Sequence, residues 1–441
     1  MIPRSMLTLR RAAAAVFLPL LSGAVYWLLA YHVTPAGRIS GIASLLLFSL
    51  VVLRFLRRTA VPDGAAVSSV GPNRASLTAV FLSLLTVDAG IILFVGLLRL
   101  GIKGETSLRE ALAFWTCTDS QHYLAIAEDW YLREGSVDRL VQLVFLPGYP
   151  LAVRMAHWII PDYLVAGLIV SVLSFAGAGT VLYRLVLLDF DAETARRALR
   201  IVCLLPGSFF FAAPMSESLF LLLSVSCIYL ARRGKWLLAC AAGGLAAFTR
   251  SLGLPLLVPV IWEVFQSTPD RSRRWRALFL TLLIPAGFGA YCLICRAVSG
   301  NPFQWMVYQR EHWNQQLGLF FHTAAYQTEN AIKACRARDY KLMMGLWLPN
   351  LICSFSALAV MAASIRRLRP SYGAYFISYY VVAIGATWLL SAPRYLLVLF
   401  PLPLGLAVLA GDRRLDALFT MLLTAFCVLY ALLFACRWQV W

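Results

Sequence analysis

Asp119 lies in the stretch Phe114–Tyr131, where a carboxylate is followed by Ser120, His122 and Tyr123 and polar residues alternate with aromatics. A carboxylate at a membrane surface can take a proton from an acceptor hydroxyl, or position that hydroxyl, while a sugar departs from a lipid phosphate. Such chemistry also needs cations to receive the phosphate. Two arginines are placed for it. Arg250, in Ala246–Gly253, falls between two apolar runs, and Arg394, in Ser391–Leu396, stands at the end of another. Neither belongs to the basic clusters that set membrane topology, and a guanidinium suits bidentate phosphate binding. Glu217, in Pro214–Ser218, is a second acid at a helix start. Plainer readings stay open: Asp119 and Glu217 as helix N-caps, Glu217 also as a sugar-hydroxyl ligand or auxiliary carboxylate, and both arginines as snorkelling interfacial side chains.

The elements that must position these residues are membrane helices. Of 441 residues, 61% are hydrophobic and 14% charged, against roughly half and a quarter in soluble domains. The excess sits in blocks such as Ala12–Leu29, Ile42–Leu56, Leu77–Leu98 and Tyr163–Leu188, which match the thickness of a bilayer's hydrocarbon core. The pattern predicts an all-α, polytopic transmembrane bundle of about thirteen spans, at 11–31, 40–56, 78–100, 163–187, 198–213, 217–231, 236–249, 253–266, 276–297, 343–364, 374–390, 396–411 and 415–436. No hydrophilic stretch is long enough for a separate catalytic domain. The short runs at 198–266 are interrupted by Pro206, Gly207, Pro214, Gly253, Pro255 and Pro259. Irregular backbone is tolerated at membrane depth where it is buried in protein or lines a cavity, so this region is a candidate wall of the site. From Ser120 onward the chain predicts an amphipathic helix with Tyr123, Ile126, Ala127 and Trp130 on one face.

The net charge of +18 does not indicate nucleic acid, because the arginines gather in short clusters at the ends of apolar runs and form no continuous basic face. With the N-terminus inside, the clusters at Arg10 and Arg11, Arg57 and Arg58, Arg196–Arg200, Arg232–Lys235, Arg271–Arg276, Arg366–Arg369 and Arg413–Arg414 all fall on the cytoplasmic side. This requires residues 140–160 to lie in or dip into the outer leaflet. Two long loops, 101–162 and 298–342, are then extracytoplasmic, and the first carries Glu105, Glu110, Asp119, Glu128, Asp129, Glu134 and Asp138. In the second, Gln304–Trp313 mixes aromatics and polar groups in a sugar-binding style that a membrane interface also favours. Asp88 is an acid inside a span, functional by default, with no partner named by the sequence. Most of the ten cysteines lie in apolar runs; the Cys292/Cys295 pair has no second pair at zinc-ligand spacing and reads as packing. Arg4, Arg10 and Arg11 before Ala12–Leu29 read as a retained signal-anchor.

Five elements, in order, resemble the PIG-V-like mannosyltransferases, a family related to GPI mannosyltransferase II within the GT-C glycosyltransferases. They are Asp119-x-x-His-Tyr-Leu-x-Ile-Ala127, Phe145–Pro150, Pro206 with Met215–Phe220, Thr249–Gly253, and Arg394–Pro401. The resemblance covers roughly residues 78–411. Thr118 stands where the family usually has Trp, with Trp115 earlier, and Met215 stands where an aromatic is usual. The resemblance implies a GT-C-type bundle whose first extracytoplasmic loop holds an acidic catalytic residue, here Asp119. It implies transfer of a sugar, typically mannose, from a polyprenyl-phosphate donor to a lipid or glycan acceptor. His122, Tyr149, Glu217, Arg250, Arg394 and Tyr395 form the implied substrate-binding set. On this reading residues 1–70 add two N-terminal helices to a glycosyltransferase domain of residues 71–441.

Two other classes compete. A lipid or glycolipid transporter (flippase) would use the broken helices around Arg250 as a path, but no inverted repeat is present and the polar candidates gather outside the membrane. A noncatalytic subunit of a glycosylation complex would not need a carboxylate and two arginines on one side. No cofactor is certain; a divalent cation is left open, although the five histidines show no metal-ligand spacing. The expected partners are the lipid-phosphate sugar, the acceptor and membrane lipids, without nucleic acid. The expected location is a bacterial inner membrane with a periplasmic site, the endoplasmic reticulum with a luminal site being the alternative.

Overall fold

The computed structural model describes residues 21, 23–25, 34–57, 74–103, 107–131, 142–387 and 389–438. Most of the expected first span (11–31), the arginines at 4, 10, 11 and 58, and Glu105, Glu134 and Asp138 lie outside the described residues.

Within them the chain is all-α, with one isolated bridge between Leu317 and Ala386. In chain order the helices are α1 Pro35–Leu56, α2 Arg74–Lys103, α3 Leu108–Ala113, α4 Ser120–Asp129, α5 Gly148–His157, α6 Tyr163–Val186, α7 Ala192–Leu204, α8 Glu217–Arg232, α9 Trp236–Thr249 and α10 Leu257–Ser267. The second half holds α11 Arg271–Leu280, α12 Leu283–Ser299, α13 Gln304–Trp313, α14 Phe320–Arg336, α15 Leu348–Ser364, α16 Pro370–Ile384, α17 Ala392–Leu397, α18 Pro401–Leu409 and α19 Arg413–Ala435. Side chains set several of the starts: Asp162, Asp191, Asp270 and Asp412 each accept a backbone N–H in the first turn of α6, α7, α11 and α19.

Among the described residues, six helical segments are long and apolar enough to cross a bilayer: Pro35–Leu56, Ser76–Gly101, Tyr163–Val186, Arg271–Ser299, Tyr340–Ser364 and Arg413–Ala435. Other expected spans form shorter pieces. The run 198–213 does not continue as one helix, because α7 stops at Leu204 and Gly207 takes a left-handed φ of 95° before a single tight turn at Ser208–Phe211. The run 396–411 is likewise divided, with α17 ending at Leu397 and α18 beginning at Pro401. Proline starts a helix well and continues one badly.

The centre of the bundle is a chain of close contacts: α6 packs on α8, α8 on α9, and α9 on α12. The last of these is made by glycines, since a Cβ on Gly287 would fall within 2 Å of the Gly244 carbonyl oxygen (1.9 Å). Small residues let helix backbones approach where lipid offers no hydrophobic drive for association. Helix α1 lies against α14 and α15, with the Phe48 and Phe320 rings tilted together at 4.6 Å, and its Phe55 reaches Trp262 of α10 at 5.2 Å.

One end of the bundle is tied by charge. Arg232 donates to both oxygens of Asp189 at 2.6 and 2.9 Å and to the Tyr372 hydroxyl at 2.6 Å, while Arg369 donates to both oxygens of Glu263 at 2.7 and 2.9 Å. Arginines from two separate basic clusters therefore meet at one end. Glu217 begins the helix that Arg232 ends, so the candidate site lies at the other end of α8.

Candidate active site

The first acid sits on a constrained turn. Thr118, directly before Asp119, has φ 55°, a left-handed conformation that costs a β-branched residue on the order of 1–3 kcal/mol. Trp130, at the far end of α4, has φ 57°. Between them α4 buries Tyr123, Ile126 and Ala127, three of the four residues expected on its apolar face, with Trp130 half-buried at its end. Asp119 precedes the helix, yet its side chain makes no capping hydrogen bond. The carboxylate turns instead to Arg394, whose Nη2 lies 2.6 Å from Oδ2.

Glu217 is also not a cap. Its Oε1 accepts from Nη1 of Arg250 at 2.6 Å and lies 3.2 Å from Nε of Arg394, while Ser216 precedes α8 without a side-chain cap. The Arg394 contact brings the charges together without hydrogen-bond alignment, and Arg394 Nε and Glu217 Oε2 both lack a hydrogen-bond partner. Arg250 donates a further bond to Ser216 Oγ at 3.0 Å, and that hydroxyl pairs with Tyr123 OH at 2.9 Å. Neither arginine snorkels: the Arg250 and Arg394 side chains are 10% and 12% exposed, against 1% for Glu217 and 30% for Asp119. Burial opposes the charge on both guanidiniums, but Glu217 beside Arg250, and Asp119 with Glu217 beside Arg394, outweigh it and raise their pKa values. The result is a neutral set of two buried cations and two carboxylates, of which only Asp119 reaches appreciable solvent.

Aromatic and backbone groups hold this set. Arg250 lies over the Tyr395 ring at 5.6 Å and Arg394 over Phe210 at 5.7 Å. The Tyr395 carbonyl accepts from Tyr379 OH at 2.7 Å. Tyr149 is fully buried; its hydroxyl donates to the Gly167 carbonyl and pairs with Ser171 Oγ, both at 2.8 Å, and its ring meets Tyr123 edge-on. It thus braces the wall behind Tyr123. His122 stacks on Phe145 at 4.7 Å, and Phe145 meets Trp313 at 6.4 Å, so α13 reaches the same neighbourhood. Gly148 closes the gap to α9: a Cβ there would lie 2.3 Å from Thr249 Oγ1 and 2.8 Å from Thr249 Cα.

The loop before Arg394 is tied from two helices. Asn350 donates to the Leu389 carbonyl at 3.1 Å and accepts from Ala392 N–H at 2.8 Å, and Gln327 donates to the same carbonyl at 3.0 Å. These two positioning residues carry no motif. Met215, Ser216, Tyr123 and Phe210 were likewise not among the expected substrate-binding residues, although the Pro214–Ser218 and Asp119–Ala127 patterns contain three of them. Both departures from the family pattern fall here: Thr118 shapes the Asp119 turn, and Met215 Sδ lies 3.8 Å from Arg394 Nη1. Trp115 is buried against Phe114 and Phe434.

Among the described residues, no three His, Cys, Asp or Glu side chains gather as a cation-binding group. Asp119 and Glu217 are both engaged by guanidiniums. Cys292 and Cys295 are free thiols on α12. Asp88 is buried in α2 with neither carboxylate oxygen hydrogen-bonded. An apolar cavity of about 680 Å³ between α2, α6, α7 and α19 is lined by Leu84, Arg196 and Cys203 among others and includes none of the residues of the charged set.

Residues 104–297 match the family model described as Mannosyltransferase (PIG-V). Asp119, Glu217 and Arg250 fall inside that segment and Arg394 beyond it. Among solved structures, the chain resembles the crystal structure of ArnT from Cupriavidus metallidurans bound to undecaprenyl phosphate, at 16% identity and a TM-score of 0.46. That similarity covers 71% of this chain and 61% of the other. A search of curated protein sequences finds no match.

Proposed function

We propose, with residues 104–297 taken as a segment of the PIG-V mannosyltransferase family, that the chain is a membrane glycosyltransferase. It moves a sugar, mannose on the family's precedent, from a polyprenyl-phosphate donor to a lipid or glycan acceptor. One observation carries this reading: Asp119, Arg394, Glu217 and Arg250, from four separate motifs, form one continuous ion-paired set. ArnT, bound to undecaprenyl phosphate in its crystal structure, offers the corresponding class of lipid to test.

In this reading the phosphodiester of the donor lies against Arg394 and Arg250, and Glu217 fixes both guanidiniums. The acceptor hydroxyl attacks the anomeric carbon from the side opposite the phosphate. The new carbon–oxygen bond forms as the bond from the anomeric carbon to the phosphate oxygen breaks, and its electron pair leaves with polyprenyl phosphate. Asp119, the most exposed member of the set, takes the hydroxyl proton. The arginines meet the charge that grows on the leaving phosphate. The lipid tail of the donor requires a site at the membrane surface, and the charge pattern of the loops favours the extracytoplasmic face; a bacterial inner membrane fits the chain's short connections.

The test is a transfer assay with purified protein, labelled polyprenyl-phosphate mannose and a panel of lipid and glycan acceptors, wild type beside Asp119→Asn. Transfer by wild type that is lost in the folded variant is expected. Full turnover by Asp119→Asn would remove Asp119 from the chemistry, and no transfer by wild type from any lipid-phosphate sugar would move the chain to the transporter or subunit class.

A further inference from the structure

Arg394 cannot serve a phosphate and Asp119 through the same donors. Its Nη2 is occupied by Asp119 at 2.6 Å; its Nη1 meets only a thioether, a weak acceptor, at 3.8 Å; and its Nε is without a hydrogen bond. The guanidinium is thus held by Asp119 at Nη2 and faces Glu217 Oε1 across 3.2 Å at Nε, which leaves Nη1 with the weakest partner. The set is also already neutral, with two guanidiniums and two carboxylates. Adding a phosphodiester anion leaves a surplus negative charge in a largely buried site, which is unfavourable unless one carboxylate gives way.

The two carboxylates are not equivalent. Glu217 is 1% exposed and lies against both arginines. Asp119 is 30% exposed and, among the described residues, pairs with Arg394 alone. It also lies in a strained turn: α4, which follows it, is bounded by two non-glycine residues of positive φ, Thr118 and Trp130, and strain of this kind is released when the turn changes conformation. No capping bond holds the Asp119 side chain to its helix.

We infer that the Asp119 carboxylate occupies the seat on Arg394 that the donor phosphate takes, so that donor binding itself displaces Asp119 and frees it to act as base. This rests on the functional reading above and adds an order to it. Before the donor arrives, the base is masked by its ion pair, and an acceptor hydroxyl finds no free carboxylate. Once the phosphate replaces it, Asp119 turns to solvent, where the acceptor enters. Donor therefore binds before acceptor, and the masked state protects the site from abstracting a proton with nothing to transfer. After transfer the protonated Asp119 has lost the charge that would let it compete with the leaving phosphate.

The test is binding of polyprenyl phosphate alone to the full chain in nanodiscs, for wild type, Asp119→Asn, Arg394→Ala and the double variant. If Asp119 competes for the seat, Asp119→Asn binds on the order of fivefold more tightly than wild type, as removal of a part-exposed ion pair allows. Arg394→Ala binds more weakly, and the gain from Asp119→Asn disappears in the Arg394→Ala background. Equal or weaker binding by Asp119→Asn, with Arg394→Ala still impaired, overturns the exchange and leaves the glycosyltransferase reading standing. A gain that persists without Arg394 also overturns it, since only bulk charge would then be acting. If Arg394→Ala binds as well as wild type, the phosphate is not seated on Arg394 and both readings fall. Hydrogen exchange on wild type keeps the question open to measurement should Asp119→Asn misfold. Adding polyprenyl phosphate is expected to speed exchange at Thr118–Ser120 and slow it at Arg394–Tyr395; slower exchange at both overturns the exchange of partners.

Discussion

Glu217 and Arg250 form a buried ion pair at 2.6 Å, contributed by the first residue of one helix and the residue just past the end of the next. Sequence separates them by a hairpin of two helices, and the close contact between α8 and α9 returns them to the same level. Because both are desolvated, each depends on the other: a lone buried charge costs far more than the pair gains.

Glu217→Gln leaves Arg250 and Arg394 with one carboxylate between them. The expected loss is about 3–5 kcal/mol of stability, the usual consequence of breaking a buried pair from one side. Thermal unfolding in detergent checks it, and Glu217→Gln with Arg250→Met is expected to regain part of the melting temperature and none of the transfer activity.

Asp119→Asn acts differently. Its ion pair is part-exposed, so folding is expected to survive, whereas on the role proposed for Asp119 as general base turnover is expected to fall by about 10²–10⁴-fold. Size-exclusion behaviour together with the transfer assay separates the two effects; a variant that unfolds would mean that the Asp119–Arg394 pair is chiefly structural.

Gly148→Ala drives a methyl group into Thr249, including its backbone Cα at 2.8 Å. Backbone cannot swing aside as a side chain can, so a loss of about 1–3 kcal/mol is expected. The displacement is transmitted to Arg250, the next residue, and turnover is expected to fall even where the protein remains folded.

Asn350→Leu removes both the donor to Leu389 and the acceptor for Ala392 N–H. The orphaned groups are expected to cost about 1–3 kcal/mol. Because the freed loop carries Arg394, the Michaelis constant for donor is expected to rise more than turnover falls; steady-state kinetics with donor and acceptor varied separately would detect it.

His322, in the second long loop, has its pKa pushed down to about 4 by burial from an ordinary value of 6.5. As pH falls, the unfolded chain takes up this proton first, so stability is full above about 6.5 and declines until about 4. The loss is confined to that window. Melting temperature measured from pH 7 to pH 5 is expected to fall in wild type and to fall less in His322→Phe.

Much of this molecule is determined by the sequence alone. Apolar runs of bilayer length require membrane helices whatever their neighbours, because an unpaired backbone in lipid is too costly. The amphipathic period of Ser120–Asp129 marks the buried face of α4, and the ordered motifs single out Asp119, Glu217, Arg250 and Arg394, which the fold brings into one ion-paired set. What those residues do was decided by the tertiary structure. Locally, Asp119 and Glu217 are well placed to cap helices and the two arginines to snorkel, and nothing within a few residues of each contradicts that. Packing of α8 on α9, and the clamp of Asn350 and Gln327 on the loop before α17, bring the four charges within ion-pair distance across gaps of up to hundreds of residues. Once they are buried together, pairing with one another is far more favourable than the weak local alternatives. Hydropathy and spacing are local quantities, whereas the choice of partner is set by which helices meet.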